Sequence, residues 1–162
     1  MSDTTIENLR EFIKVFEASL DPRLWMKLVK EETLELAEEL AGVTWHAKKI
    51  NRAKVLKEAT DLMYVTVGFN LVASGPEQLG LFSDREHQEM MTTLQESTVL
   101  HEQAIAYLGD VNYIEAFRRV HNSNMSKLDD DGNPIKRKDG KIMKSSNYKE
   151  PKLDDLVSLV IT

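Results

Sequence analysis

Four carboxylates occupy positions at which a helix buries leucine, and they limit the possible folds more than any other feature of the chain. One pair lies in Glu31-Glu32-Thr33-Leu34-Glu35 and the other in Glu58-Ala59-Thr60-Asp61. At 100° per residue, Glu32 and Glu35 project into the arc of Trp25, Leu28 and Leu36. Glu58 and Asp61 project into the arc of Val55, Leu62, Val65 and Phe69. An ionised carboxylate taken out of water costs several kcal/mol unless it is paired or binds a cation. Two helices that bring four such groups together therefore need a positive charge between them, and a divalent metal ion is the simplest source.

The carrier of this pattern is expected to be one domain spanning 1–162, with a helical body over about 4–122 and a basic loop and tail over 123–162. No apolar run approaches the ~18 residues of a membrane span, and residues 1–20 have no signal-peptide core, so no membrane association is expected. The absence of cysteine excludes a disulfide scaffold and a thiolate zinc site. It fits a cytoplasmic protein, in the host cytoplasm if the gene is carried by a phage. A net charge of -6 argues against a nucleic-acid partner. That charge is uneven. Between Arg118 and Lys152 stand ten lysines and arginines against five acidic residues, so a basic tail follows an acidic body. Such a division suits a site for a metal together with a polyphosphate.

The periodicity predicts a helix over Thr4–Leu20, broken by Asp21-Pro22, and a second from Pro22 to a C-cap near Gly42. A third is expected from about His46 to Ala73. Beyond Asp61 it is apolar nearly all round, which places it at the centre of a bundle or a dimer. Ser83 followed by Glu86 is a capping box for a fourth helix to about Leu108. A fifth opens at Gly109-Asp110 and runs through Tyr113, Phe117 and Val120. Gly132, Pro134, Gly140 and Pro151 forbid a long helix afterwards. Asp139-Gly140, between Ile135-Lys136-Arg137 and Lys141-Ile142-Met143, predicts a small hairpin. Asp154 is expected to cap a last turn over Leu156, Val157, Leu159 and Val160. The fold class is therefore all-α: an antiparallel helical bundle completed by dimerisation, as a homodimer or homotetramer, with an irregular basic tail packed on it.

Glutamates three apart share one helical face, so Glu32 and Glu35 can hold one ion, with Glu58 and Asp61 opposite. An all-oxygen donor set selects a hard cation, Mg²⁺ or Mn²⁺. Di-iron chemistry in a bundle would want Glu-x-x-His, and here the i+3 partners are Glu35 and Asp61. Glu31, Glu38 and Glu39 are spare carboxylates for a second ion or a general base. A triphosphate carries about four negative charges, which Mg²⁺ and basic side chains must neutralise before water can reach phosphorus. Lys127, Arg137, Lys141 and Lys144 are placed to do so, and Lys54 lies on the carboxylate face. Trp25, on the Glu32 face, either stacks a base or is core, and Trp45 and Tyr64 have the same two readings. His121 reads as a local hydrogen-bonding residue. Asp129-Asp130-Asp131-Gly132 reads as a turn.

Glu31-Glu32-x-x-Glu35, then Glu58-x-x-Asp61 followed by Leu62-Met63-Tyr64-Val65, resembles the signature of the all-α nucleoside triphosphate pyrophosphohydrolases. These include the MazG enzymes, the dimeric dUTPases and phosphoribosyl-ATP pyrophosphohydrolase. The segment His121-Asn122-Ser123-Asn124-Met125-Ser126-Lys127, with Asp139-Gly140-Lys141-Ile142-Met143-Lys144, Tyr148 and Pro151, is similar to the tail of MazG-like proteins frequent in bacteriophages. The resemblance covers about residues 6–73 and 109–156. Between them, about 35 residues stand where the family has a short connection.

The resemblance implies hydrolysis of a nucleoside triphosphate between its α and β phosphates, to the monophosphate and pyrophosphate. It implies roughly one to three Mg²⁺ or Mn²⁺ ions per site. Glu32, Glu35, Glu58 and Asp61 match the metal ligands, and Glu31 matches a further carboxylate that binds ions or activates water. Glu31 and Glu32 are thus the catalytic candidates. Asn124 and Lys127 match positions that contact the nucleotide, and dUTP, dGTP and GTP are among the substrates implied. Two other readings stay open: a phosphoribosyl-ATP pyrophosphohydrolase of histidine synthesis, and a helical interaction module without catalysis.

Overall fold

The structure is a computed structural model that describes residues 3–44, 51–75, 78 and 80–158. Among these, six helices and one two-stranded hairpin follow in order: α1 (Asp3–Val15), α2 (Pro22–Thr44), α3 (Arg52–Ala73), α4 (Asp84–Leu108), α5 (Tyr113–Met125), β1 (Ile135–Lys136), β2 (Ile142–Met143) and α6 (Asp154–Val157). The all-α class read from the periodicity is the class observed. No helix of the described residues is long and apolar enough to cross a membrane.

Helix boundaries follow local chemistry. α1 ends at Val15, five residues before the expected Leu20, because Glu17 takes a left-handed φ of 45° and the Ala18 amide closes back on the Ile13 carbonyl. Asp21 then starts α2 by accepting a hydrogen bond from the Arg23 amide through its side chain. Gly42 is not a C-cap, since α2 continues to Thr44. α3 is capped by Asn51, whose side chain accepts from the Lys54 amide. The expected start of α3 at His46, and Trp45 beside it, lie outside the described residues. The Ser83–Glu86 capping box forms as its spacing predicts, with both reciprocal hydrogen bonds present. The cap of α5 is Asn112, not Gly109-Asp110. Asp154 does not cap α6. It is the first residue of the helix, the cap position is Leu153, and no side chain bonds there. The neighbouring Asp155 ties this turn to α5 through Arg119 instead, at 2.6 Å. Leu159 and Val160 lie outside the described residues.

α3 is the axis of the molecule and packs against α1, α2, α4, α5 and α6. Val55, Leu56, Leu62, Val67 and Phe69 are buried, while Met63, Val65, Leu71 and Val72 are partly buried against the core. The stretch that carries α4 supplies part of this cover. Arg52, at the start of α3, donates to the carbonyls of Tyr107 and Leu108 at the end of α4 and to that of Val157 in α6. These acceptors have no partner inside their own helices. At the other face, Gly68 lets Trp25 of α2 lie on the α3 backbone. A Cβ built there would fall 2.0 Å from the indole ring.

The tail is docked on the bundle, as expected from its punctuation. Ile142 and Leu153 join the core, and Ser123 of α5 donates to the Lys149 carbonyl. β1 and β2 pair antiparallel with Lys136 opposite Ile142. The turn between them is closed by hydrogen bonds from the Arg137 amide to Lys141 and from the Gly140 amide to Arg137. Gly140 sits at φ 94°, a conformation L side chains avoid. This is the three-residue form of hairpin, with glycine in the left-handed position.

Candidate metal centre and its cavity

Glu32 of α2 and Glu58 and Asp61 of α3 each offer a carboxylate oxygen within 4.8 Å of the others. The helical period accounts for this convergence. Glu58 and Asp61 are one turn apart on the face of α3 that α2 covers, and Glu32 lies on the facing side of α2. Glu35 lines the same cavity but is exposed and stands outside this triplet.

Burial and crowding shape the triplet's acidity. Burial, reinforced by the charges of Asp61 and Glu35, pushes the Glu32 carboxyl up to about 8. Burial also raises Glu58, although Lys57 opposes it. Lys57 donates to Glu58 at 2.9 Å and to Asp61 at 2.7 Å. Burial works against the lysine's charge, but the two carboxylates outweigh it and hold the ammonium above its ordinary range. Lys57 thus pairs with two of the three clustered carboxyls and leaves Glu32 without a hydrogen-bonded cation among the described residues. Glu58 Oε2 is buried and has no hydrogen-bond partner among the described residues. A buried carboxylate oxygen without a donor, beside two further carboxylates and with only oxygen ligands in reach, fits a hard divalent cation.

Glu32 and Asp61 of the triplet line a cavity of about 370 Å³, and Glu58 lies behind them, outside its lining. Its polar end carries Glu32, Glu35, Lys57, Asp61 and the tail lysines Lys127, Lys141 and Lys144. Its other walls are apolar, from Phe12, Trp25, Leu28, Val65, Ile142 and Met143. Lys127 is half-buried. Burial lowers its pKa against the pull of Asp61 and Glu32, and its ammonium donates no hydrogen bond to the protein among the described residues. Lys144 lies over the ring of Tyr148, 4.4 Å from its centroid.

Several residues expected at the site are placed differently. Glu31 does not line the cavity. It accepts from Arg137 and Lys141 at 2.9 and 2.5 Å. Burial disfavours its charge, yet these two hydrogen bonds prevail and hold its pKa below the usual carboxylate range. A carboxylate so neutralised is a weak base, and Glu31 acts here as the anchor of the hairpin on α2. Lys141 lines the cavity while engaged with Glu31. Lys54 is exposed and does not line the cavity, so the lysine on the carboxylates is Lys57. Trp25 is 3% exposed and donates to the Ser19 carbonyl at 2.8 Å. It is a core residue whose edge also forms cavity wall.

Among the cavity residues that were not singled out as ligand contacts from the sequence are Lys57, Phe12 and Ile142. Lys57 was visible as an i,i+4 partner of Asp61. Phe12 and Ile142 carry no local signal, since only the packing of α1 against α3 and α5, and of the hairpin against α2, brings them there. Comparisons with protein-family models, with curated proteins and with solved structures give no match to this chain.

Proposed function

We propose that the protein is a metal-dependent nucleoside triphosphate pyrophosphohydrolase, cleaving its substrate between the α and β phosphates to a nucleoside monophosphate and pyrophosphate. The observation that carries this reading is the joining of two opposite chemistries in one cavity. A carboxylate triplet with a buried oxygen unpartnered among the described residues stands at a cavity that Lys127, Lys141 and Lys144 also line, together with the apolar side chains of Phe12, Trp25 and Met143.

Glu32, Glu58 and Asp61 would hold Mg²⁺ or Mn²⁺, with Glu35 as a further ligand from the cavity wall. When bound, the ion supplies charge neutralisation of the phosphates and acidifies water. The chain's own residues do the rest. Lys127 and Lys144 meet the negative charge that the leaving pyrophosphate carries, and a half-buried lysine does this more strongly than a fully solvated one. Lys141 joins them if it exchanges Glu31 for phosphate. Glu35, which makes no hydrogen bond among the described residues, is the carboxylate best placed to orient or deprotonate water. The apolar walls from Phe12, Trp25 and Met143 take up the nucleoside and exclude bulk water from the polar end.

Asp61→Asn tests the assignment. The amide keeps the shape and loses the charge, so turnover should fall at least a hundredfold with helical content unchanged by circular dichroism. Activity within threefold of the parent would remove the triplet from the mechanism.

A further inference from the structure

Lys57 already stands where a cation is needed. The helical period places it one turn before Asp61 on α3. Its ammonium bridges the two carboxylates of that helix, 2.9 Å from Glu58 Oε1 and 2.7 Å from Asp61 Oδ2. An ion pair held in water contributes little, but here the lysine side chain is 25% exposed and those of Glu58 and Asp61 are 12% and 20% exposed. The lysine therefore belongs to the centre and not to a solvated face.

The ammonium is an incomplete match for the triplet. It brings one charge, and among the described residues it bonds neither Glu32 nor the buried Glu58 Oε2. A hard divalent ion brings two charges and takes about six oxygen ligands. The ammonium cannot share Glu58 Oε1 and Asp61 Oδ2 with such an ion without strong repulsion at so short a distance. It also has a place to go. Lysine has a flexible four-carbon stem, and Lys57 lines the cavity together with Lys127, Lys141 and Lys144. Of these, Lys141 is engaged by Glu31 and Lys144 lies over Tyr148. A Lys57 released from its two carboxylates therefore enters the polar end of the cavity, where a bound triphosphate would carry its charge.

We propose that Lys57 is the resident cation of the metal-free centre, that it gives way to a divalent ion and turns to the phosphates, and that metal and polyphosphate thereby bind cooperatively. The inference rests on the metal-dependent reading above and adds a coupling between its two ligands. In the metal-free protein, Lys57 keeps Glu58 and Asp61 from repelling each other. With metal alone, the ammonium is expelled toward three other lysines, which weakens metal binding. With a polyphosphate present it gains a new anionic partner, so each ligand strengthens the other by the same factor.

The test needs no turnover and uses Mn²⁺, Mg²⁺ and inorganic tripolyphosphate with the intact protein. Followed by electron paramagnetic resonance, Mn²⁺ alone should bind Lys57→Met about tenfold more tightly than the parent. The affinity for the Mn²⁺–tripolyphosphate complex, relative to that for Mn²⁺ alone, should fall by about tenfold or more in the variant. Displacement itself is read in the parent, by labelling amines with acetic anhydride and quantifying Lys57 by mass spectrometry. Its labelling should rise severalfold when Mg²⁺ is added alone and fall again when tripolyphosphate follows. Labelling of Lys57 that Mg²⁺ leaves unchanged overturns the proposal. Equal or weaker Mn²⁺ binding by Lys57→Met overturns it too, and would make Lys57 a residue that only positions the carboxylates, with the metal centre intact. Absence of Mn²⁺ binding in parent and variant alike would overturn the metal centre and the exchange together. If Lys57→Met does not fold, Lys57→Gln is read by the same criteria, and the labelling of the parent decides without any variant.

Discussion

Glu32 carries an unusual burden, because its carboxyl loses solvent and faces Asp61 and Glu35 at once. Its pKa near 8 lies above the ordinary value of 4.5, so the folded protein keeps a proton there that the unfolded chain releases. Stability of the metal-free protein should therefore be fullest below about pH 4.5 as far as this group is concerned. It should fall as pH rises through 8, by a few kcal/mol at most. Glu32→Gln should flatten that slope and raise the melting temperature at pH 8. Bound Mg²⁺ keeps the group ionised, so saturating Mg²⁺ should also reduce the slope, and metal binding below pH 8 should release protons. Thermal melts in chelator and in Mg²⁺ from pH 5 to 9 check this. A slope that Glu32→Gln leaves untouched would place the titration elsewhere. At this scale the sequence was informative for acids that break an apolar pattern: Glu32, Glu58 and Asp61 stand out because leucine is expected there. Glu31 was misjudged for the same reason. Its neighbour in sequence marks the site, but its side chain points to Arg137 and Lys141 across 106 and 110 residues, a pairing no local pattern encodes.

Among the elements, the joint between α2 and α3 sets the spacing of the carboxylates, and Gly68 sets the joint. An added methyl would lie 2.0, 2.4 and 2.7 Å from three carbons of the Trp25 ring, so the indole must move. The gain of about 1 kcal/mol in helix propensity on replacing glycine with alanine is smaller than the cost of overpacking, about 1–3 kcal/mol. Gly68→Ala should therefore lower stability in urea by about 1–2 kcal/mol. It should also weaken Mg²⁺ binding, because Trp25 and Glu32 ride on the same helix. Trp25→Phe should restore part of the loss in the double variant, and a Gly68→Ala protein as stable as the parent would show that α2 yields freely. The existence of α2, α3 and α4 was legible from period and capping. Their ends were less so: α1 stopped early at a left-handed Glu17, and α2 ran past Gly42, because neither residue's local preference decides where packing releases the chain. The hairpin was legible from Asp139-Gly140. That it docks on α2 was not, since the docking depends on Arg137, Lys141 and Asp139 finding Glu31 and Lys27.

For the molecule as a whole, the acidic body and basic tail described by composition become two walls of one cavity. α3 contributes Asp61, α2 contributes Glu32, and the end of α5 with the residues just after it brings Asn124 and Lys127 to the same cavity. α4 packs on α2 and α3 and helps to cover α3, and none of its residues lines the cavity. Helical class and site region were readable because both follow from period and charge. Which elements cover α3 was not, because apolarity on every face says that a helix is covered and not by what. The central claim is that this cavity cleaves triphosphates with a divalent metal. The direct measurement is incubation of the purified chain with canonical and non-canonical nucleoside triphosphates, with Mg²⁺, with Mn²⁺ and with chelator, resolving nucleotide products and phosphate species by chromatography. The account predicts a monophosphate and an equal amount of pyrophosphate from at least one triphosphate, only when metal is present and lost in Asp61→Asn. Diphosphate with orthophosphate as the products, or equal turnover in chelator, would contradict it.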